Sequence, residues 1–279
     1  MTSKKTVSQQ DLHWLVQDKY KGDILAPGLA ADKKRLEDGE PLAYVIGWVP
    51  FLHCQIDLSL RTLIPRPETE FWVGEVIKEL KTGAIKSVDV AGSLGEEPIH
   101  ILDLCCGSGC IGIALLKNLP NVTVDFVDIS EVAIQQTKIN LQKNDDEKKS
   151  LSKRARTMVS DLFTQLPAQP QAENSAYNDS QNQYDLIVCN PPYVDLFGDF
   201  APEVAYEPAQ ALFAQNHGLA LIEQIINHSK KYLKLGGKLI LEFGKGQEDE
   251  IAKLSQRAGW EHADFYDDQF GVKRWAALF

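Results

Sequence analysis

From residue 99 onward, short apolar runs alternate with stretches of helical periodicity, and few folds accommodate that pattern. Residues 99–104 form an apolar run that enters Cys105-Cys106-Gly107-Ser108-Gly109, and 111–119 read as a mostly apolar helix. The next run, 122–127, ends at Asp128. Ser130 then stands where its oxygen can cap a helix reaching about residue 143, with Glu131 favourable to the helix dipole. Runs at 157–160 and 184–189 read as strands, and 219–233 as a helix ended by Gly236-Gly237. A strand at 238–243, a helix at 248–258 and two β runs complete the chain. Strands separated by helices of this length make a parallel sheet covered on both faces, an α/β architecture.

The first third of the chain is less regular. Residues 11–20 and 29–37 fit two short helices, and 42–64 is rich in β-branched and aromatic residues, as in a hairpin. A helix over 69–80 follows, with Phe71, Val73, Val76, Ile77 and Leu80 as its apolar stripe. Three polar stretches, 82–98, 144–156 and 165–183, read as solvated surface insertions. Lys and Arg number 29 against 39 Asp and Glu, a net charge of −10 that argues against a surface coating nucleic acid. No apolar run approaches a membrane span, and residues 1–11 lack the apolar core of a signal peptide. Five cysteines, three of them at 105, 106 and 110, do not form a disulfide framework. A cytoplasmic protein is expected.

Ligands of open parallel sheets bind outside the carboxyl ends of the strands, where the strand order reverses. Gly107 and Gly109 let backbone approach a ligand closely at such an end, and the following helix N-terminus offers free N–H donors. Asp128, about twenty residues on, can accept both hydroxyls of a ribose. This spacing suits a dinucleotide or S-adenosylmethionine, and the fingerprint-like Gly112 does not decide between them. The clustered cysteines read as small residues packed under the turn; without Cys-x-x-Cys pairs or a neighbouring His, no metal is expected. The six histidines are scattered.

Asn190-Pro191-Pro192-Tyr193 follows directly on the run 184–189. Two prolines remove two backbone donors and stiffen the chain, leaving carbonyls free to accept. With the Asn190 carbonyl and an aromatic ring beside them, the arrangement suits a planar NH2 group.

Asn-Pro-Pro-Tyr in this position resembles the motif of S-adenosylmethionine-dependent methyltransferases acting on planar amino groups, such as DNA adenine and protein glutamine methyltransferases. Gly39-Glu40-Pro41-Leu42-Ala43-Tyr44 and Leu63-Ile64-Pro65-Arg66-Pro67-Glu68-Thr69-Glu70 resemble the linker of the peptide chain release factor glutamine methyltransferases. Tyr206-Glu207-Pro208, Ala211-Leu212 and Gly218-Leu219 match that family too, so the resemblance runs from 39 to 279. It implies a Rossmann-like, seven-stranded class I methyltransferase sheet. Residues 1–41 would be a shortened helical substrate-recognition region, 42–68 a β-hairpin linker and 69–279 the methyltransferase domain. It further implies S-adenosylmethionine as cofactor, and the Gly-Gly-Gln glutamine amide of class 1 release factors as methyl acceptor. By position, Cys105, Cys106, Gly107, Ser108 and Gly109 would line the methionine part of the cofactor. Asp128 would hold the ribose, and Asp161 and Leu162 would border the adenine. Asn190, Pro191, Pro192 and Tyr193 would hold the glutamine amide, with Asn190, Pro191 and Tyr193 catalytic and Asn190 also against the cofactor.

Two departures stand out. Cys105 occupies the first glycine position of the family's Gly-x-Gly-x-Gly turn, which a negative φ there would accommodate. The N-terminal region is also shorter than the family's. A ribosomal-protein glutamine and an adenine in nucleic acid are the alternative acceptors; the one basic cluster, 148–156, also holds acidic neighbours, so no direct nucleic-acid partner and no membrane are expected. A non-catalytic cofactor-binding scaffold would tend to lose the acceptor residues, which are intact here. Arg66 and Glu70 read as structural links.

Overall fold

The computed structural model describes residues 6–83, 98–145, 150–166, 184–195 and 202–279. Helix α1 (Gln9–Trp14) is capped by Ser8, whose hydroxyl accepts the Asp11 N–H, and passes into a π turn at Leu15–Lys19. Helices α2 (Leu29–Glu37) and α3 (Leu42–Ile46) follow, and Leu15, Leu36 and Val45 meet in a small core of their own. The hairpin is therefore shorter than expected: residues 42–46 are helical, started by Pro41 and stopped by left-handed Gly47 at φ 96°. Only β1 (Trp48–Phe51) and β2 (Cys54–Asp57) pair, antiparallel from Trp48↔Asp57 to Phe51↔Cys54. Helix α4 (Pro67–Thr82) opens on a proline at its first position and closes on Gly83 at φ 73°.

The remaining elements are β3 (Ile99–Leu104), α5 (Cys110–Asn118), β4 (Val122–Asp128), α6 (Glu131–Asn144), β5 (Ala155–Val159) and β6 (Tyr184–Cys189). Two short strands, β7 (Val194–Asp195) and β8 (Phe213–Ala214), pair with each other. Then come α7 (Ala220–Ser229), β9 (Leu233–Glu242), α8 (Glu248–Arg257), β10 (Ala263–Asp267) and β11 (Lys273–Leu278). The main sheet has seven strands in the order β10-β11-β9-β6-β3-β4-β5; β11 alone runs antiparallel, and β10 beyond it has the direction of the other five. The chain runs outward from β3 through β4 to β5, then returns to the other side of β3 with β6. The switch point lies between β3 and β6.

Alternation along the strands divides the interior. Ile101 packs with Trp72, Ile113 and Phe126 on one face, while Leu102 and Leu104 pack with Ile222, Ile225 and Phe243 on the other. Residues 230–237 are not helix, contrary to the reading of 219–233. Leu233 is already a strand residue opposite Tyr184, and the next pair is Leu186↔Lys238. The Gly236-Gly237 segment is a bulge inside β9, with Gly236 at φ 75° and Leu235 thrown out to 91% exposure.

Of the expected insertions, 84–97 and 167–183 lie outside the described residues. The described part of 144–156 is not a solvated loop. Leu151 is buried, Arg154 donates to the carbonyls of Leu116, Leu119 and Val122, and Arg156 pairs with Asp125. Those two arginines of the basic cluster are spent on the fold. Among the described residues no helix is long and apolar enough to cross a membrane.

Candidate active site

A cavity of about 400 Å³ opens at the carboxyl ends of β3, β4 and β6. Cys105, Cys106, Gly107 and Ser108 form one wall, Asp128 and Ser130 the next, and Ser160, Asp161 and Leu162 a third. Asn190 and Pro192 face them, joined by Pro65, Arg66 and Thr69 from the linker and α4. Gly109, Pro191 and Tyr193 do not line the cavity. Gly109 lies beneath it at φ 77°, where a Cβ would come 2.8 Å from Thr137 Cγ2. Pro191 is buried, and the Tyr193 ring turns inward.

The turn and Asp128 are built as one unit. Asp128 Oδ2 accepts the Gly107 N–H at 2.9 Å and Oδ1 accepts the Ser130 N–H at 2.9 Å. Each oxygen keeps a free lone pair, so a pair of vicinal hydroxyls can still dock there. Burial raises the Asp128 carboxyl above its usual range, against the lowering effect of those N–H groups. A Cβ at Gly107 would meet no atom within 4 Å, so the backbone there is bare for a ligand.

The Asn190 amide is held from behind. Its Nδ2 donates to Thr69 Oγ1 at 3.2 Å, and Thr69 Oγ1 donates to Glu242 Oε2 at 2.7 Å. Trp72 Nε1 also donates to Glu242 Oε2, at 2.7 Å, and the Tyr193 hydroxyl donates to Oε1 at 2.9 Å. Glu242 ends β9 and is wholly buried, which raises its carboxyl despite these three donors. Burial, then the Glu242 charge, drives the Tyr193 phenol well above its ordinary value. Gln247 donates to the Tyr193 carbonyl at 3.1 Å and braces the turn from outside. None of Thr69, Glu242 and Gln247 was singled out by sequence.

The linker is stitched on by amides. Gln136, Asn140 and Asn144, one turn apart on α6, accept the N–H groups of Leu60, Asp57 and Gln55 at 2.7–2.9 Å. Asn140 Nδ2 also donates to the Ser108 carbonyl, so the linker and the glycine turn share a support. Glu207, buried beside the cavity, accepts the Ile64 N–H and pairs with Arg66. Glu70 accepts the Leu52 N–H at 2.8 Å. Arg66 and Glu70 therefore act as links, through partners the sequence did not name.

The methyltransferase small domain family matches residues 92–255. The release factor glutamine methyltransferase of Coxiella burnetii is 30% identical over 246 residues, covering 88% of this chain and 77% of that protein. That of Thermodesulfovibrio yellowstonii is 32% identical over 238 residues, covering 84% and 75%. The chain belongs to the release factor glutamine methyltransferase family. A bifunctional methyltransferase of Rickettsia felis is 33% identical over 254 residues; the match takes in 84% of this chain but 44% of that longer protein. Among solved structures, the N-terminal domain of human METTL16 superposes with a TM-score of 0.52 at 16% identity, covering 100% of this chain and 98% of that one. This likeness is one of fold.

In this methyltransferase, Cys105 is left-handed at φ 59°, not at the negative φ expected. The chain leaves β3 so sharply that Cys105, Gly107 and Gly109 all take positive φ, while the Cys106 N–H stays bonded to the Val127 carbonyl at 3.0 Å. For a residue with a Cβ this conformation costs roughly 1–2 kcal/mol. Cys105→Gly relieves it but adds unfolded-state entropy, so a net gain of about 0.5–1 kcal/mol is expected in urea unfolding. A loss of that size would mean that packing of the Cys105 side chain outweighs the strain.

Asp103 is a second buried carboxylate that the sequence did not mark. It lies fully buried under the turn, with Oδ2 accepting the Gly112 N–H at 2.8 Å and Oδ1 unpartnered. Burial, helped by the Asp128 charge and opposed by the Gly112 N–H, pushes its pKa up to about 7. The folded state then holds this proton more tightly than the unfolded state. The stabilisation is complete below about pH 4 and is lost as pH rises through 7. Asp103→Asn keeps an acceptor for Gly112 and does not ionise. The melting-temperature difference between variant and wild type should therefore shift in the variant's favour from pH 4 to 7 and stay level above. A difference independent of pH would show that Asp103 does not titrate in that window.

Proposed function

We propose that this cytoplasmic enzyme transfers the methyl group of S-adenosylmethionine to the side-chain amide nitrogen of the glutamine in the Gly-Gly-Gln motif of class 1 peptide chain release factors. The observation that carries this reading is the Asn190 side chain at the cavity wall, its NH2 engaged by Thr69 and its carbonyl left for a ligand. The names of the relatives agree with it. Residues 1–41 would meet the release factor, 42–68 would link, and 69–279 would carry the reaction.

The chemistry of the cavity fits the cofactor. Asp128 has lone pairs for two ribose hydroxyls, the turn at Cys105–Ser108 offers bare backbone to the amino-acid part, and Leu162 with Ile129 offers apolar surface to the adenine. Asp161, exposed beside Leu162, can accept from the adenine amino group. When bound, S-adenosylmethionine supplies an electrophilic methyl on a sulfonium.

An amide nitrogen is a poor nucleophile because its lone pair is delocalised into the carbonyl. Asn190 Oδ1 at the cavity wall and a backbone carbonyl of the Pro191-Pro192 turn, accepting its two N–H groups, would fix the nitrogen and stabilise the positive charge that develops there. Pro191 and Pro192 put no competing N–H donor beside those acceptors. Such positioning is worth on the order of 7–11 kcal/mol in favourable cases. The proton can leave after methylation, so no strong base is needed. Tyr193, anchored on Glu242, would stiffen the acceptor turn from behind.

The test is transfer of labelled methyl from S-adenosylmethionine to a purified class 1 release factor, beside a copy with the Gly-Gly-Gln glutamine changed to alanine. Label on the intact factor alone supports the reading. Equal label on both, or on neither while cofactor binding is saturated, overturns it.

A further inference from the structure

The Asn190 amide can be turned two ways, and only one presents an acceptor to a substrate NH2. Its direction is set by a chain of donors whose polarity cannot be reversed. The Trp72 indole N–H is a donor only, and it points at Glu242 Oε2. The second donor to that oxygen is the Thr69 hydroxyl, at 2.7 Å. With its proton committed to the carboxylate, Thr69 Oγ1 has only lone pairs left for Asn190. It therefore takes the Asn190 NH2, at 3.2 Å, and a flipped amide would set two acceptors against each other. Thr69 is 1% exposed and Glu242 0%, so water does not compete with these bonds.

We infer that Glu242, acting through Thr69, fixes the Asn190 amide with its carbonyl toward the cavity, making both of them positioning residues for methyl transfer. The inference rests on the reading of this site as one that binds an NH2 group. The same carboxylate holds Tyr193, so one buried charge orients both ends of Asn190–Tyr193. Helix α4 supplies Thr69 and Trp72, and β9 supplies Glu242. The linker-proximal helix thereby takes part in aiming the acceptor.

Two measurements test this. The first needs no substrate: the side-chain NH2 of Asn190, assigned by nuclear magnetic resonance against Asn190→Ala, should be shifted downfield and slow to exchange. In Thr69→Val, nearly isosteric but without a hydroxyl, it should move to the position of a free amide. Thr69→Ser should restore it. An Asn190 signal unchanged in Thr69→Val overturns the inference, whatever the acceptor of the methyl group proves to be.

The second measurement is kinetic, with release factor as acceptor and turnover counted per bound cofactor. Thr69→Val and Glu242→Leu, which leaves no acceptor for the Thr69 hydroxyl, should each lower kcat by about 10–100-fold with cofactor Kd within about threefold, and Thr69→Ser should recover most of the Thr69→Val loss. In an Asn190→Ala background, Thr69→Val should add nothing further, because the group it aims is gone. Losses that multiply in the double variant would mean a general structural role and overturn the inference. A wild-type enzyme inactive on the factor would instead count against the proposed acceptor, and the resonance experiment would still decide the positioning.

Discussion

Asn190→Ala should lower turnover by about 10²–10³-fold while cofactor affinity changes by no more than about threefold. The size follows from removing one preorganised polar group aimed at developing charge, a loss of this order where such groups have been deleted. The cause here is specific. With Asn190 gone, the acceptor set keeps only backbone carbonyls, and one substrate N–H loses its partner inside a cavity walled by Pro192, Pro65 and Thr69. Cofactor affinity should hold because Asp128 and the glycine turn are supported by Ser130, Thr137 and Asn140, none of which bonds to Asn190. Cofactor titration beside steady-state turnover on a release factor separates the two effects. Turnover within a factor of about five of wild type would remove Asn190 from the mechanism.

How far the site was legible in the sequence depends on how far apart its parts lie along the chain. The strand ends, the turn at 105–109 and Asp128 follow from local periodicity and a single βαβ spacing. Asn190 to Tyr193 follows directly on a strand run. Glu242 carried no such signal, because a lone carboxylate ending an apolar strand reads as the point where the chain meets water. It is buried because Trp72 and Thr69, some 170 residues earlier, and Tyr193 converge on it. The amides on α6 are hidden from sequence reading in the same way. Gln136, Asn140 and Asn144 look like a solvent face, yet β2 and the residues after it cover them and use them as partners. Gly236-Gly237 looked like a helix end because the signal for a breaker is the same in a strand bulge. Cys105 shows a further limit: the demand for positive φ came from the exit of β3, which no property of cysteine reveals.

Gly218→Ala should cost about 2–4 kcal/mol of stability and take turnover down with it. Gly218 follows Asn216 and His217 in a run of three left-handed residues and itself has φ 82°. A side chain there carries the left-handed cost of roughly 1–2 kcal/mol before any contact is counted. Its Cβ would also stand 1.9 Å from the Tyr193 carbonyl oxygen, and that atom is backbone, so no rotamer relieves the overlap. Neither side yields easily. Gln247 holds the Tyr193 carbonyl and the His217 carbonyl, Glu242 holds the Tyr193 hydroxyl, and the Val194 N–H is bonded to the Leu212 carbonyl at 2.9 Å. A forced shift therefore reaches the acceptor turn, where a displacement near 1 Å costs on the order of 100-fold in rate. Gly246 supplies the control. It has φ 86° and no atom within 4 Å of its would-be Cβ, so Gly246→Ala should show the conformational cost without the clash. If the two variants melt together and turn over alike, the Tyr193 carbonyl moves freely, and the turn that carries Asn190 is not braced from this side.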